Sequence, residues 1–250
     1  MHWTVETRDV TEIVKAPAHG HVLLILLITS SFALAGRRLR GVTLSGAVAG
    51  FAVAFLLYSS AGPGAFALLV ALFAITFLAT RLGRSRKQSL GTAERSEGRG
   101  ASQVLANVGV AALFAISYKY FPRTELLAAC VAALTEAAAD TVSSECGQAL
   151  SASVWMVTTG ARVPVGSNGG ISLPGTFFGA LAAFAMALSA VWLALVPAHS
   201  AGIITAAAFC GMFVDSLLGA LLEAPGRLNN DAVNLLGTLS AALLALWWTR

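Results

Sequence analysis

The chain has 250 residues, 57% of them hydrophobic and only 11% charged, with a formal net charge of +4 and a mean hydropathy of +0.77. This composition excludes an ordinary soluble globular domain. Its apolar runs reach the roughly 20 residues that cross a hydrocarbon core, so an integral membrane protein is expected.

Residues 1–16 hold Arg8 and Lys15 against Glu6, Asp9 and Glu12, the wrong balance for a signal peptide, even though Ala33 to Ala35 reads Ala-x-Ala. They are expected to form an outer N-terminal segment before a retained first helix. Apolar segments follow at 17–35, 42–58 and 64–80, the first three transmembrane helices. A basic loop, 81–103, precedes further segments at 104–121, 126–140, 171–196, 203–222 and 232–248, which make 104–250 the larger transmembrane bundle. The expected fold is therefore all-α, a polytopic transmembrane helix bundle of about eight helices, seven to nine in range.

If eight helices alternate, one face holds Arg37, Arg38, Arg40, Arg81, Arg84, Arg86, Lys87, Arg95, Arg99, Arg162 and Arg227. The other holds Arg8, Lys15, Lys119, Arg123 and Arg250. The richer face is expected in the cytoplasm, with both termini outside and the chain in the plasma (inner) membrane. Positive charge of this kind is ordinary topology or contact with anionic lipid, so membrane lipid is an expected partner and nucleic acid is not. Cys130, Cys146 and Cys210 lack metal-ligand spacing and read as small buried hydrophobes. All four histidines fall on the outer face, which leaves carboxylates for any acid or base chemistry in the cytoplasm.

Carboxylates do occur at membrane depth, where they are costly and mark function by default. Glu136 and Asp140 are four apart and share a helix face, which Ser143 and Ser144 continue if the helix runs on. Gly211, Asp215, Gly219 and Glu223 recur every four residues, a strip of acids and small residues that lets a neighbouring backbone approach. Asn230, Asp231 and Asn234 open the last helix, where Asp231 also reads as a helix cap. These acidic strips can converge on one pocket suited to magnesium, which takes one or two carboxylates and completes its shell with water and phosphates. The competing reading is helix caps and interhelical hydrogen bonds, with Glu94 and Glu97 as solvated loop charges.

Phosphate-binding features fall on the same side. Gly166-Ser167-Asn168-Gly169-Gly170-Ile171-Ser172-Leu173-Pro174 is a glycine-rich turn entering a helix, with Ser172 as the expected cap and Pro174 in the first turn. Consecutive N–H groups there can cradle an anion. No Gly-x-x-x-x-Gly-Lys-Ser/Thr loop and no protein-kinase His-Arg-Asp set is present, which excludes the common soluble nucleotide folds. A short echo, Asp140-Thr141-Val142 with Asp215-Ser216-Leu217 and Gly175-Thr176 with Gly237-Thr238, would make helices five and six a parallel repeat of seven and eight.

Five ordered motifs carry a family resemblance. They are the run 83–91 with 103–107, then Ala139-Asp140-Thr141-Val142-Ser143-Ser144-Glu145, then Gly169-Gly170-Ile171-Ser172 with Gly175-Thr176, then Asp215-Ser216-Leu217-Leu218-Gly219-Ala220, and last Asn229-Asn230-Asp231-Ala232-Val233-Asn234. Together they resemble the DUF92 or transmembrane protein 19 family, and 81–250 is the family-like region. That family includes the plant phytyl-phosphate kinase and is distantly similar to phytol and dolichol kinases that use CTP. The resemblance implies transfer of a phosphoryl group from a nucleoside triphosphate, CTP before ATP, to an isoprenoid alcohol or its monophosphate, with Mg2+ as cofactor.

On this reading Asp140, Glu145, Asp215 and Asp231 are the catalytic and metal-binding residues. Arg84, Arg86, Lys87, Asn107, Ser143, Ser144, Gly169, Gly170, Ser172, Asn230 and Asn234 bind nucleotide and phosphate, and Glu136, Ser216 and Glu223 support them. A CTP-dependent lipid-phosphate cytidylyltransferase shares almost every feature, and a secondary transporter would need acids near the midplane, reached from both sides. Self-association to a homo-oligomer is left open.

Overall fold

The computed structural model describes residues 18–94 and 96–250, so the expected outer segment 1–16, Pro17 and Arg95 lie outside the described residues. In chain order the elements are α1 (Ala18–Arg38), α2 (Leu44–Arg81), α3 (Arg84–Ser89), α4 (Ala101–Tyr120) and α5 (Thr124–Leu150). Next come β1 (Val154–Met156), β2 (Arg162–Val163), β3 (Gly170–Ile171), α6 (Leu173–Trp192), α7 (Ser200–Leu218) with a π-turn at Gly219–Glu223, and α8 (Asn230–Trp248). Seven of the described helices are long and apolar enough to cross a membrane.

One of the seven is long enough to cross twice. A straight helix of 38 residues would reach about 57 Å, nearly double the roughly 30 Å of a hydrocarbon core. Gly62 instead takes φ 84° and ψ −177°, and Pro63 follows it without an N–H to continue the helix. The chain turns back on itself there. Arg81 Nη2 donates to the Leu39 carbonyl at 3.1 Å, which puts the two ends of α2 side by side. The arms 44–61 and 64–81 are the expected second and third segments, so the described residues hold eight helical segments of the kind the sequence led one to expect.

α5 is the central post, packed on α2, α4, α6, α7 and α8. It can be surrounded because its sides are mostly alanine: Ala129, Ala132, Ala133, Ala138 and Ala139 are fully buried, and small side chains let neighbouring backbones close in. The sequence placed the end of this helix at 140, but it continues to Leu150. Glu136, Asp140, Ser143, Ser144 and Glu145 therefore sit within one rigid element.

Two further differences concern the connections. The glycine-rich turn feeds a small antiparallel sheet of order β2-β1-β3, pairing Trp155 with Arg162 on one side and with Ile171 on the other. Strands of two or three residues give no periodic signal in a sequence. The expected helix 171–196 is α6, begun by Ser172, whose Oγ accepts from Gly175 N at 3.2 Å, with Pro174 in the first turn. The basic loop 81–103 contains α3.

Candidate functional site

The end of the bundle that carries the α1–α2 turn, α3 and the small sheet also holds a polar cleft of about 250 Å³. Helix spacing positions its walls. Asp140, Ser143, Ser144 and Gln148 of α5 face it with Thr141, while α7 and its π-turn contribute Asp215, Ser216 and Glu223. Gln103 and Asn107 enter from α4, Asn230 and Asn234 from α8, and Asn168, Gly169, Gly170 and Ser172 from the segment between β2 and α6. Glu145 also lies along its wall.

Two buried oxygens of the lining, Asp215 Oδ2 and Gln148 Oε1, meet no hydrogen-bond partner. Nearby Glu136, 1% exposed, leaves Oε1 in the same condition. Unpaired buried acceptors are uncommon and call for a ligand or a role. Asp140 lies within electrostatic reach of Arg99 and Glu223, and Asp215 within reach of Asp140 and Glu223. The acids are therefore one cluster facing one cation.

Arg99 was counted in the sequence only as a topology charge, yet among the described lining residues it is the cation of the cleft. Its backbone bridges the α1–α2 turn: Arg99 N donates to the Gly41 carbonyl at 3.1 Å, and Thr43 N donates to the Arg99 carbonyl at 3.0 Å. Its guanidinium reaches Thr141 Oγ1 at 3.5 Å and Glu94 at 4.0 Å. The flanking Gly98 and Gly100, immediately before the helix that carries Asn107, were the available signal. Gln103, Thr141 and Gln148 were also missed. Gln103 Nε2 donates to Glu94 Oε2 at 3.0 Å, so Glu94 is a rim residue rather than a freely solvated charge.

Several predicted residues stand elsewhere. Lys87 is fully buried, with Nζ donating to the carbonyls of Ala79 (3.3 Å) and Thr80 (2.7 Å) and paired with Glu145. It pins α3 to α5 and to the end of α2, and Glu145 is engaged by it. Arg86 donates to the Ser151 carbonyl, and Arg84 lines a second cavity. Asp231 lies in the first turn of α8, outside the cleft lining, and the cap is Asn229, whose Oδ1 accepts from Ala232 N at 2.9 Å. The four-carboxylate set is thus not assembled. Among the described residues no three His, Cys, Asp or Glu side chains form a self-sufficient metal cage.

The glycine loop is narrower than expected as an anion cradle, because Gly170 N donates to the Ser167 carbonyl at 2.9 Å. It owes its position to close packing on the end of α7. Gly169 has φ +77°, and a Cβ built there would lie 2.4 Å from Ala220 Cβ. The π-turn that follows Leu218 widens the backbone at this contact, and such turns are frequent at functional sites.

Comparison with known proteins gives a consistent kinship. A family model described as integral membrane protein DUF92 matches residues 27–242. An uncharacterized membrane protein of Methanocaldococcus jannaschii is 30% identical over 88% of this chain and 91% of its own length. One from Synechocystis is 29% identical over 76% of each. The chloroplastic protein VTE6 of Arabidopsis thaliana is 29% identical over 82% of this chain and 65% of its own length. No solved structure gives a significant match.

Proposed function

The chain belongs to the DUF92 family of integral membrane proteins, and from that premise we propose that it transfers a phosphoryl group from a nucleoside triphosphate to an isoprenoid monophosphate or alcohol. The observation that carries this reading is the cleft itself. In a chain with so few charges, Asp140 and Asp215 converge with Arg99, six asparagine and glutamine residues and a glycine loop at one end of the bundle. The resemblance to a family with a phytyl-phosphate kinase, and more distantly to CTP-using lipid kinases, supports the reaction class and the preference for CTP.

Phosphoryl transfer needs positioning and charge neutralisation more than covalent chemistry. Asp140 and Asp215 suit Mg2+, since the orphaned Asp215 Oδ2 offers a ligand atom and two carboxylates are as many as such a site usually takes. When bound, the ion would neutralise phosphate charge and polarise the transferred group. Arg99 would hold phosphate oxygens, and the α6 N-terminus with the residues before Gly170 would favour an anion beside it. Asn107, Asn230 and Asn234 would orient the nucleotide. An acceptor oxygen then bonds to the terminal phosphorus as the bridging P–O bond breaks and nucleoside diphosphate leaves. A monophosphate acceptor is already ionised and requires no strong base; an alcohol would require one of the aspartates to take its proton. The basic end of the bundle supports a cytoplasmic site.

Purified protein in detergent, incubated with magnesium, radiolabelled CTP or ATP and a panel of prenols and prenyl phosphates, tests the proposal. Labelled prenyl diphosphate or monophosphate is the expected product, abolished by EDTA. A CDP-lipid would assign the cytidylyltransferase reaction instead, and no product with any acceptor would overturn both.

A further inference from the structure

Beside the polar cleft lies a second cavity of about 300 Å³, between α1, the two arms of α2 and α4. Its character is the reverse. Phe32, Val53, Leu69, Leu72 and Phe73 form its walls, while Arg40, Arg81, Arg84 and Arg99 stand at one end. Gly36, Gly46 and Gly50 are also in its lining: Gly46 packs against the Arg99 backbone, where a Cβ would lie 2.2 Å from the carbonyl oxygen, whereas a Cβ on Gly50 would meet open space. The two cavities share Glu94, Arg99 and Asn107 in their linings.

We propose that this cavity is the acceptor tunnel: the isoprenoid chain lies between α1, α2 and α4, and its phosphate sits at Arg99, where the tunnel meets the acid cleft. This rests on the transfer reaction proposed above and adds where the lipid binds and what measures its length. Charge complementarity selects the occupant. An apolar cavity with four arginines in its lining, of which Arg81 is held by the Leu39 carbonyl and the Phe77 ring, and with Glu94 the acid in its lining and already bonded to Gln103, fits a single apolar chain with an anionic head. The acid cleft, lined by polar groups, would not accept that chain but would accept a nucleotide. Donor and acceptor thus approach Arg99 from different sides, and neither has to leave for the other to bind.

Gly50 is the point at which the tunnel can be altered alone. It lines this cavity and not the cleft, and a Cβ built there meets nothing within 4 Å. Gly50→Phe should therefore shorten the tunnel with little disturbance of the backbone, with Gly50→Ala as the control. The expected result is at least a tenfold fall in kcat/KM for a C20 prenyl monophosphate relative to a C10 one, with KM for CTP unchanged. An unchanged chain-length ratio would overturn the proposal.

Photolabelling reads the site without turnover. A C20 prenyl monophosphate with a diazirine at its terminal isoprene should label peptides of α1 and α2, and unlabelled C20 prenyl monophosphate should remove most of the label. Label on α6 or α7, or equal competition by phosphatidylglycerol, would sink the tunnel. If the wild-type protein transfers phosphate to no acceptor, the proposed reaction fails while the labelling still decides whether the tunnel binds the lipid.

Discussion

Asp215 has a carboxyl oxygen, Oδ2, that is buried and makes no hydrogen bond. Leaving such an acceptor unpaired costs roughly 1–3 kcal/mol, so the side chain works against the fold it sits in. Asp215→Asn should lower transfer by about 10²–10³-fold, as loss of a preorganised electrostatic group does. Its unfolding temperature in detergent should stay level or rise; a clear fall would make Asp215 a structural residue. Lys87 presents the opposite case. Because the Lys87–Glu145 pair is buried, Lys87→Met strands the Glu145 charge and should destabilise the protein by roughly 3–5 kcal/mol. Lys87→Met combined with Glu145→Leu should recover most of that loss in an unfolding titration. A raised KM for nucleotide at unchanged stability would restore Lys87 to the phosphate-binding set in which the sequence placed it.

At the scale of elements, the site depends on two long helices and one short loop. α5 carries Asp140 well short of its end at Leu150, inside continuous helix, so the spacing of its acids is held by backbone hydrogen bonds rather than by a flexible end. α7 supplies the opposing wall and ends in the π-turn against which Gly169 rests. Gly169→Ala meets two obstacles at once, a left-handed backbone and a clash with Ala220. The loop must then shift away from α7, and a displacement of about 1 Å can cost roughly 10²-fold in rate. The expected variant folds, binds prenyl monophosphate as the wild type does, and loses turnover. Wild-type kcat would show that the loop does not position a reacting group. The α2 hairpin serves the apolar cavity instead. Its tip packs on the end of α6, where a Cβ on Gly64 would lie 3.1 Å from the Leu193 carbonyl, and its open ends frame that cavity.

For the whole molecule the hairpin decides topology. If α2 crosses twice, single cysteines at Ser60 and Ala198 should react with a membrane-impermeant maleimide from one side of intact vesicles, and cysteines at Ser96 and Gly226 from the other. The natural Cys130, Cys146 and Cys210 are first replaced by alanine. Labelling of the Ser60→Cys and Ser96→Cys variants from the same side would rule out the eight-crossing arrangement. The sequence by itself determined what depends on near neighbours along the chain. Apolar runs gave the membrane class and the approximate spans, including the gap between 42–58 and 64–80 in which Gly62-Pro63 lies, and four-residue spacing put Glu136 with Asp140 and Asp215 with Glu223. The tertiary structure decided which charges meet. Lys87 and Glu145 are 58 residues apart in the chain and Arg99 and Thr141 are 42 apart, so no local pattern could have told a core ion pair from a phosphate ligand or paired Arg99 with Thr141. Asp231 falls outside the cleft lining for the same reason: helical periodicity assigns a residue to a face, but only the packing of α8 against its neighbours determines what that face meets.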